Sequence, residues 1–194
     1  MIPLVLASTS VYRKSLLAQL GLPFDTQKPD FDEEPTKLGF RGSKHDLCLL
    51  LAQGKAKSLA TVQNCVIGSD QMALLDTETL GKPKNKENSI QQLLKMQGRT
   101  HELITSVSVF FQNKETSFLN VTRLKMKSLS RQQIENYLEM DQPFDCAGSY
   151  KIEKHGISLM DKIETDDFTA IQGLPLIQLA HTLESFGYQI PRKE

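Results

Sequence analysis

The stretch Ser8–Lys14 combines hydroxyl groups with two adjacent cations. The apolar run Ile2–Ala7 before it predicts a buried strand, and helically spaced leucines follow it. A strand that turns directly into a helix leaves unpaired backbone N–H groups at the helix start, and such groups bind anions. Ser8, Arg13 and Lys14 are therefore candidate phosphate ligands. The alternative is that the serines only cap the helix while the cations face solvent.

A carboxylate, Asp70, follows a second apolar run that begins at Cys65 and ends in Gly-Ser-Asp. Open α/β sheets bind ligands at the carboxyl ends of their buried strands. Asp70 is thus a candidate metal ligand or general base. An Asp that merely begins an Asx-turn is the alternative interpretation.

Three further stretches carry charges that a phosphate chemistry would use. Lys55 and Lys57 lie two residues apart in a helix predicted over Asp46–Ala60, so they point to different faces and one is a candidate site lysine. Lys82 lies between a glycine and a proline, which constrain its backbone and suit a cation aimed at phosphate, although most lysines are simply exposed. The loop predicted over Pro29–Pro35 carries four carboxylates, of which one or two could hold a cation; most acidic loops are solvated.

The elements that must position these residues alternate along the chain. Small residues after Asp145 lead into an extended segment that ends at Glu153, and a proline opens the last helix near Leu176. This alternation predicts an α/β fold with a mixed sheet. The predicted strands are 2–7, 24–27, 64–75 with a return strand at 80–83, 102–111, 116–127 and 157–160, and the predicted helices start near 12, 46, 85, 130 and 176.

Length and composition bound the class of protein. The 194 residues suffice for one sizeable domain or two lobes, and 39% apolar residues support a packed core. The 23 basic and 23 acidic residues cancel, which argues against a nucleic-acid or membrane-binding module. Three cysteines without metal-ligand spacing fit free thiols, and neither a signal peptide nor a spanning segment is recognisable. We therefore expect a cytoplasmic protein.

Seven segments in register resemble the Maf-type nucleotide pyrophosphatases, and the resemblance covers nearly the whole chain. It implies an elongated α/β molecule, a single domain over residues 1–194 with two lobes around one nucleotide-binding cleft, similar to other house-cleaning triphosphate pyrophosphatases. The implied reaction splits a nucleoside triphosphate between its α and β phosphates with a divalent cation such as Mg²⁺ or Mn²⁺. A homodimer is also implied. The segments are Leu6–Ser10 with Arg13-Lys14, Asp32-Glu33, Lys55–Lys57, Gly68–Gln71, Gly81–Pro83, Ala147–Tyr150 and Gly173–Leu176.

The resemblance assigns roles to residues that the chemistry had already singled out. Asp70 matches the catalytic base and a metal ligand, and Glu33 matches a carboxylate on the metal side. The phosphate-binding positions match Ser8, Arg13, Lys14, Lys55 and Lys82. Attack on the α-phosphorus builds negative charge that cations stabilise more in the transition state than in the ground state.

Three positions, Tyr12, Gln71 and Glu153, correspond to those that separate branches of the family. The branch acting on uridine and thymidine triphosphates tends to have Arg, Thr and Gln there, whereas an aromatic residue, Gln and Glu resemble the branch that hydrolyses 7-methyl-GTP. The chain departs from the common pattern at four positions. Val11 replaces a proline, Lys14 the second of two arginines, Tyr12 a more frequent tryptophan and Ser106 a glycine.

Two other functions compete with 7-methyl-GTP hydrolysis. The chain could instead act on another nucleoside triphosphate, such as a pyrimidine nucleotide or another modified nucleotide. A substrate panel with pyrophosphate detection distinguishes these substrates. It could also bind nucleotides without turnover, as a regulator of cell division. The presence of Asp70, Lys55 and Lys82 favours the enzyme.

Overall fold

The computed structural model describes residues 2–191, which form a mixed α/β structure, as the alternation of the sequence predicts. Three short 3₁₀ turns accompany the regular elements, at Ala147–Ser149, His155–Leu159 and Phe168–Gln172. The strands are β1 Leu4–Ala7, β2 Phe24–Gln27, β3 Cys65–Leu75, β4 Glu78–Leu80, β5 Thr100–Phe111, β6 Lys114–Met126 and β7 Met160–Glu164. The helices are α1 Val11–Ala18, α2 Glu33–Gly39, α3 Lys44–Lys57, α4 Lys86–Met96, α5 Arg131–Asp141 and α6 Leu176–Ser185.

The described strands form one mixed sheet in the order β2-β1-β3-β5-β6-β7, with β4 paired to β3. Strand β1 runs parallel to both neighbours, so that Leu4 aligns with Phe24 on one side and with Cys65 on the other. Strand β4 is antiparallel to β3, and β7 is antiparallel to β6 with an irregularity at Lys125/Met126. The parallel pairing of β1 with β3 ends at Ala7 opposite Gly68, two residues before Asp70.

The chain divides into two compact units. Within the described residues, the first unit contains the segment up to Gln71, Thr105–Asn120 and the segment from Asp167 onward, and the second contains Met72–Ile104 and Val121–Asp166. Strands β3, β5 and β6 therefore contribute residues to both units. Within residues 2–191, the helices fall short of the length and apolar character that a membrane crossing demands.

The core of the first unit lies between its strands and the helices α1 and α6. Leu6 and Ile67 from the sheet are fully buried, as are Leu17 of α1 and Leu179 and Leu183 of α6. Burial of each such side chain contributes roughly 1.5–3 kcal/mol. Packing therefore fixes α1 directly after β1 and holds the segment before α6 in place.

The second unit is built around α4 and α5. Leu93 and Met96 on α4 and Ile134 and Leu138 on α5 are at most 1% exposed. A capping box at Ser130 starts α5, since its side chain accepts from the Gln133 N–H and the Gln133 side chain accepts from the Ser130 N–H.

Four sequence predictions were wrong in detail. The predicted acidic loop ends in helix α2, because Asp32 caps Glu34 N–H and the glutamates that follow favour a helix N-terminus. Residues 157–160, predicted as a strand, lie largely in a 3₁₀ turn, and β7 begins only at Met160. The return strand predicted over 80–83 is β4 at Glu78–Leu80, so residues 81–83 lie outside it. The segment predicted as extended up to Glu153 instead contains a 3₁₀ turn at Ala147–Ser149 and further turns at 152–154.

Candidate active site

Helix α3 lies unusually close to β3, and this brings Lys55 to Asp70. A Cβ at Gly68 would lie 2.3 Å from the Ala52 carbonyl oxygen and 2.5 Å from the Ala56 nitrogen, so only glycine permits the contact. Lys55 Nζ lies 2.5 Å from Asp70 Oδ1, and both residues are at most 8% exposed. Lys57 is exposed, which confirms the prediction that the two lysines point to different faces.

Glu33, the first residue of α2, joins the same lysine. Its Oε1 lies 2.8 Å from Lys55 Nζ, and its Oε2 lies 2.7 Å from Lys37 Nζ one helical turn further along α2. Burial by itself would raise the pKa of Glu33, but hydrogen bonds from Lys37 and Lys55 outweigh it and lower the pKa to about 2. Glu33 is therefore a permanent anion at neutral pH.

Arg13 is fixed by a backbone carbonyl far away in the sequence. Its Nε donates to Gly173 O over 3.0 Å, and Gly173 adopts a positive φ of 106° that suits glycine. Burial lowers the pKa of Arg13, and the nearby charges of Asp70 and Glu33 oppose that shift; an arginine nevertheless stays charged. The two cations Arg13 and Lys55 thus balance the two carboxylates.

The serines before α1 shape the helix start. Ser10 is the N-cap, and its hydroxyl accepts from Arg13 N–H over 3.4 Å. Ser8, only 6% exposed, accepts from Ser10 N–H over 3.1 Å. The capping interpretation is therefore confirmed for Ser10, while phosphate binding by Ser8 stays a prediction.

The remaining predicted residues of the first unit lie in different surroundings. Gln71 is half-buried, and its amide nitrogen donates to Thr105 Oγ1 and to the carbonyl oxygens of Ala170 and Ile171, over 2.8–3.1 Å. Tyr12 is half-buried on the first turn of α1. Lys14 is exposed, and it lines a surface groove with apolar side chains that include Val11, Ala18, Leu22 and Phe24.

The other two predicted residues belong to the second unit. Lys82 is exposed, and the buried Pro83 follows it. Glu153 is exposed too, in a turn where the Lys151 carbonyl accepts from the N–H groups of Lys154 and Gly156. Their roles, phosphate binding and base selection, stay predictions.

Sequence reasoning missed three residues that contact the predicted ones, namely Lys37, Cys48 and Thr105, and a fourth, Ser69, which shares the Gly173 carbonyl with Arg13. Ser69 Oγ donates to Gly173 O over 2.9 Å, and Cys48 Sγ lies 3.9 Å from Asp70 Oδ2. Burial and the adjacent Asp70 charge raise the pKa of Cys48 to about 12, so it remains a neutral thiol. The spacing of four between Glu33 and Lys37 was a readable signal. The contacts of Ser69, Cys48 and Thr105 had none, because tertiary packing alone creates them.

The donor set around Lys55 suits a small divalent cation. Glu33 Oε1 and Asp70 Oδ1 both approach a single cationic atom, Lys55 Nζ, which shows that two carboxylates converge there. No group of three His, Cys, Asp or Glu side chains suited to a metal occurs among residues 2–191. Mg²⁺ is typically bound by one or two carboxylates, with waters and substrate phosphates completing its shell, so the pair fits that mode.

The arrangement can act on a phosphate compound. Lys55 has three N–H donors, of which two point to carboxylates, and Arg13 uses Nε on a carbonyl while its terminal nitrogens have no partner among the described residues. Anion-binding donors thus lie beside Asp70, a carboxylate able to orient a water.

Known proteins resemble this chain over most of its length. A protein from Bdellovibrio bacteriovorus named 7-methyl-GTP pyrophosphatase is 48% identical, with 94% of this chain and 96% of that protein covered. One of the same name from Xanthomonas oryzae pv. oryzae is 43% identical, with 97% and 98% covered. A solved HAM1 protein from Coxiella burnetii matches at a TM-score of 0.49 and 14% identity, covering 95% of this chain and all of that one. A family model described as Maf-like protein matches residues 3–186, and the chain belongs to that family.

Proposed function

We propose that this protein hydrolyses 7-methyl-GTP between its α and β phosphates, giving 7-methyl-GMP and pyrophosphate. The observation that carries the proposal is the cluster of Asp70, Lys55 and Glu33, with Arg13 beside it. Relatives at 43–48% identity that bear the name 7-methyl-GTP pyrophosphatase support the choice of substrate.

Asp70 is the proposed general base. Its carboxylate orients a water toward the α-phosphorus and accepts one of its protons. The water oxygen bonds to the α-phosphorus while the bond to the bridging oxygen breaks, so that pyrophosphate leaves with the bonding electrons. Lys55 keeps one N–H for a phosphate oxygen while it holds Asp70, and Arg13 offers its terminal nitrogens to the same charge.

Glu33 and Asp70 are the proposed ligands of a divalent cation such as Mg²⁺ or Mn²⁺. Such an ion would supply positive charge that stabilises negatively charged phosphate oxygens. Lys37 and Lys55 keep Glu33 ionised down to a pH near 2, so it is ready to act as an oxygen ligand at neutral pH.

Tyr12 and Glu153 are the proposed readers of the base. N7-methylation gives the guanine ring a positive charge, and an aromatic face contributes about 1–2 kcal/mol to binding a desolvated cation. A glutamate accepts from N–H groups of guanine, and its negative charge favours a cationic base. We expect Glu153→Gln to reduce the preference for 7-methyl-GTP over GTP; an unchanged preference would show that the charge is irrelevant.

A substrate panel with pyrophosphate detection tests the reaction. The wild-type protein with Mg²⁺ or Mn²⁺ should release pyrophosphate from 7-methyl-GTP faster than from GTP, UTP or TTP. Asp70→Asn should abolish release from every substrate, whereas Lys57→Gln, an exposed change on α3, should not. Preferential release from UTP or TTP would show that a pyrimidine nucleotide is the preferred substrate. Nucleotide binding without pyrophosphate release would favour a regulatory protein.

The free cysteines bear on the cellular compartment of the protein. Cys48, Cys65 and Cys146 are free thiols, which suits a reducing compartment, and we place the protein in the cytoplasm. The homodimer and the cleft between two lobes, both implied by the family resemblance, stay predictions.

A further inference from the structure

The amide of Gln71 is held in one orientation by acceptors that surround its nitrogen. Nε2 lies 2.8 Å from Thr105 Oγ1, 2.9 Å from Ala170 O and 3.1 Å from Ile171 O. A primary amide has two hydrogens, so three acceptors use its whole donor capacity. No residue in the described range 2–191 contacts Oε1 within hydrogen-bond distance, and the side chain is only half-buried.

Thr105 is one of the three acceptors that decide which end of the amide faces the protein. Its hydroxyl donates its single hydrogen to Ala170 O over 2.8 Å, so only a lone pair remains for Gln71. Thr105 is 0% exposed, and water therefore cannot offer the hydroxyl another partner. If the amide were reversed while the Thr105 hydroxyl kept this bond, Oε1 would face three oxygens and no donor, which is unfavourable for an acceptor that is shielded from water.

The acceptor carbonyls belong to a turn that is itself fixed. Asp167, 4% exposed, accepts from Thr169 N–H through Oδ1 and from Ile177 N–H through Oδ2, over 2.9 and 2.7 Å. These bonds tie both ends of the segment that contains Ala170 and Ile171. The orientation of Gln71 thus follows from a rigid frame and not from a flexible contact.

We infer that Thr105 is a positioning residue for nucleotide selection: it holds Gln71 so that only the carbonyl oxygen Oε1 is open to a ligand. Gln71 then reads a hydrogen-bond donor on the nucleoside and cannot read an acceptor. The inference rests on the proposed function, since it takes Gln71 to face the bound nucleotide. Guanine offers such a donor in its 2-amino group, and the ribose offers one in its 2′-hydroxyl.

Substrates that lack one donor each distinguish these two sources. ITP lacks the 2-amino group of GTP, and dGTP lacks the 2′-hydroxyl. We expect Thr105→Val, which keeps the shape and removes the hydroxyl, to reduce the GTP/ITP or the GTP/dGTP ratio of kcat/KM roughly three- to tenfold, the size of one hydrogen bond. The change should come mainly from KM. Thr105→Ser restores the hydroxyl and should restore the ratio.

An equal loss on all substrates in Thr105→Val, without recovery in Thr105→Ser, would overturn the inference, because it would show a purely structural role. Thr105→Ala replaces the valine variant if circular dichroism shows that the latter is unfolded.

NMR of the ¹⁵N-labelled protein separates failure of this inference from failure of the proposed function. The side-chain NH₂ of Gln71 should exchange slowly with solvent in the wild type and in Thr105→Ser, and at least tenfold faster in Thr105→Val. This result needs no turnover, so it holds or fails even if no triphosphate is hydrolysed. Rapid exchange in the wild type would refute the locked amide.

Discussion

Replacing Lys55 by methionine should destabilise the protein, because it leaves the charge of Asp70 without its closest partner. Methionine has a similar length and no charge, so the change removes the 2.5 Å ion pair while it keeps most of the packing. Loss of one partner from a buried pair costs about 3–5 kcal/mol, because the other charge is left uncompensated. Arg13 lies close enough to offset part of this, so we expect a cost near the lower value, about 3 kcal/mol.

The pair with Glu33 contributes much less to this total. The Glu33 side chain is 31% exposed and keeps Lys37 as a second partner, so solvent screens its charge. Such a partly exposed pair contributes at most about 1 kcal/mol. The expected loss of stability therefore arises mainly at Asp70.

A double-mutant cycle measures this coupling directly. Urea unfolding at pH 7 in the presence of a chelator would compare Lys55→Met, Asp70→Asn and the double variant with the wild type. The loss of unfolding free energy in the double variant should be about 2 kcal/mol smaller than the sum of the two single losses, because neither charge is then left unpaired. Lys57→Met, two residues along α3 and exposed, is the control and should change stability by less than about 0.5 kcal/mol.

The cycle can also refute the reasoning. A coupling energy below about 0.5 kcal/mol would mean that Asp70 and Lys55 do not compensate each other in solution. In that case Lys55 would act in substrate binding alone. The Lys55→Met variant should then release pyrophosphate with a raised KM and unchanged stability.

Two further outcomes test the second unit and the phosphate site. Burial lowers the pKa of His101 from 6.5 to about 4, so the folded state favours the neutral ring. The contribution of this ring to stability is fully present above pH 6.5, and the free energy of unfolding falls by up to about 3 kcal/mol as the pH drops to 4. Urea midpoints at pH 7 and 5 should show about 2 kcal/mol of this loss in the wild type and in the exposed control His181→Gln, and a much smaller loss in His101→Gln. Arg13→Ala should lower kcat/KM for all triphosphates alike, whereas Tyr12→Ala should mainly erase the preference for 7-methyl-GTP; the reverse pattern in the substrate panel would contradict both roles.

Local patterns predicted much of the fold because local physics determines those parts. Leucine spacing predicted α1, the turn residues around Asn113 predicted the hairpin of β5 and β6, and Ser130 predicted the start of α5. Helix periodicity also separated Lys55 from Lys57. Helix α2 was missed because four carboxylates within five residues resemble a solvated loop, although Asp32 caps a helix there.

The architecture of the site depends on contacts that no local pattern reveals. Arg13 donates to a carbonyl 160 residues away, and Gln71 donates to carbonyls 99 and 100 residues away. The sequence predicted Arg13 as a phosphate ligand from its charge, but it could not show that Nε is already in use.

The backbone of the turn before α6 explains why the site presents donors in a defined way. The carbonyls of Ala170, Ile171 and Gly173 accept from Gln71, Ser69, Thr105 and Arg13. Each of these side chains therefore uses one or more of its N–H or O–H donors on the turn. Only its remaining donors and acceptors can bind a ligand. For Arg13 the remainder is the pair of terminal nitrogens, which suits phosphate oxygens, and for Gln71 it is an acceptor, which suits an N–H or O–H of the nucleoside. If the proposed roles hold, this turn directs Arg13 toward phosphate and Gln71 toward the nucleoside through the direction of their hydrogen bonds.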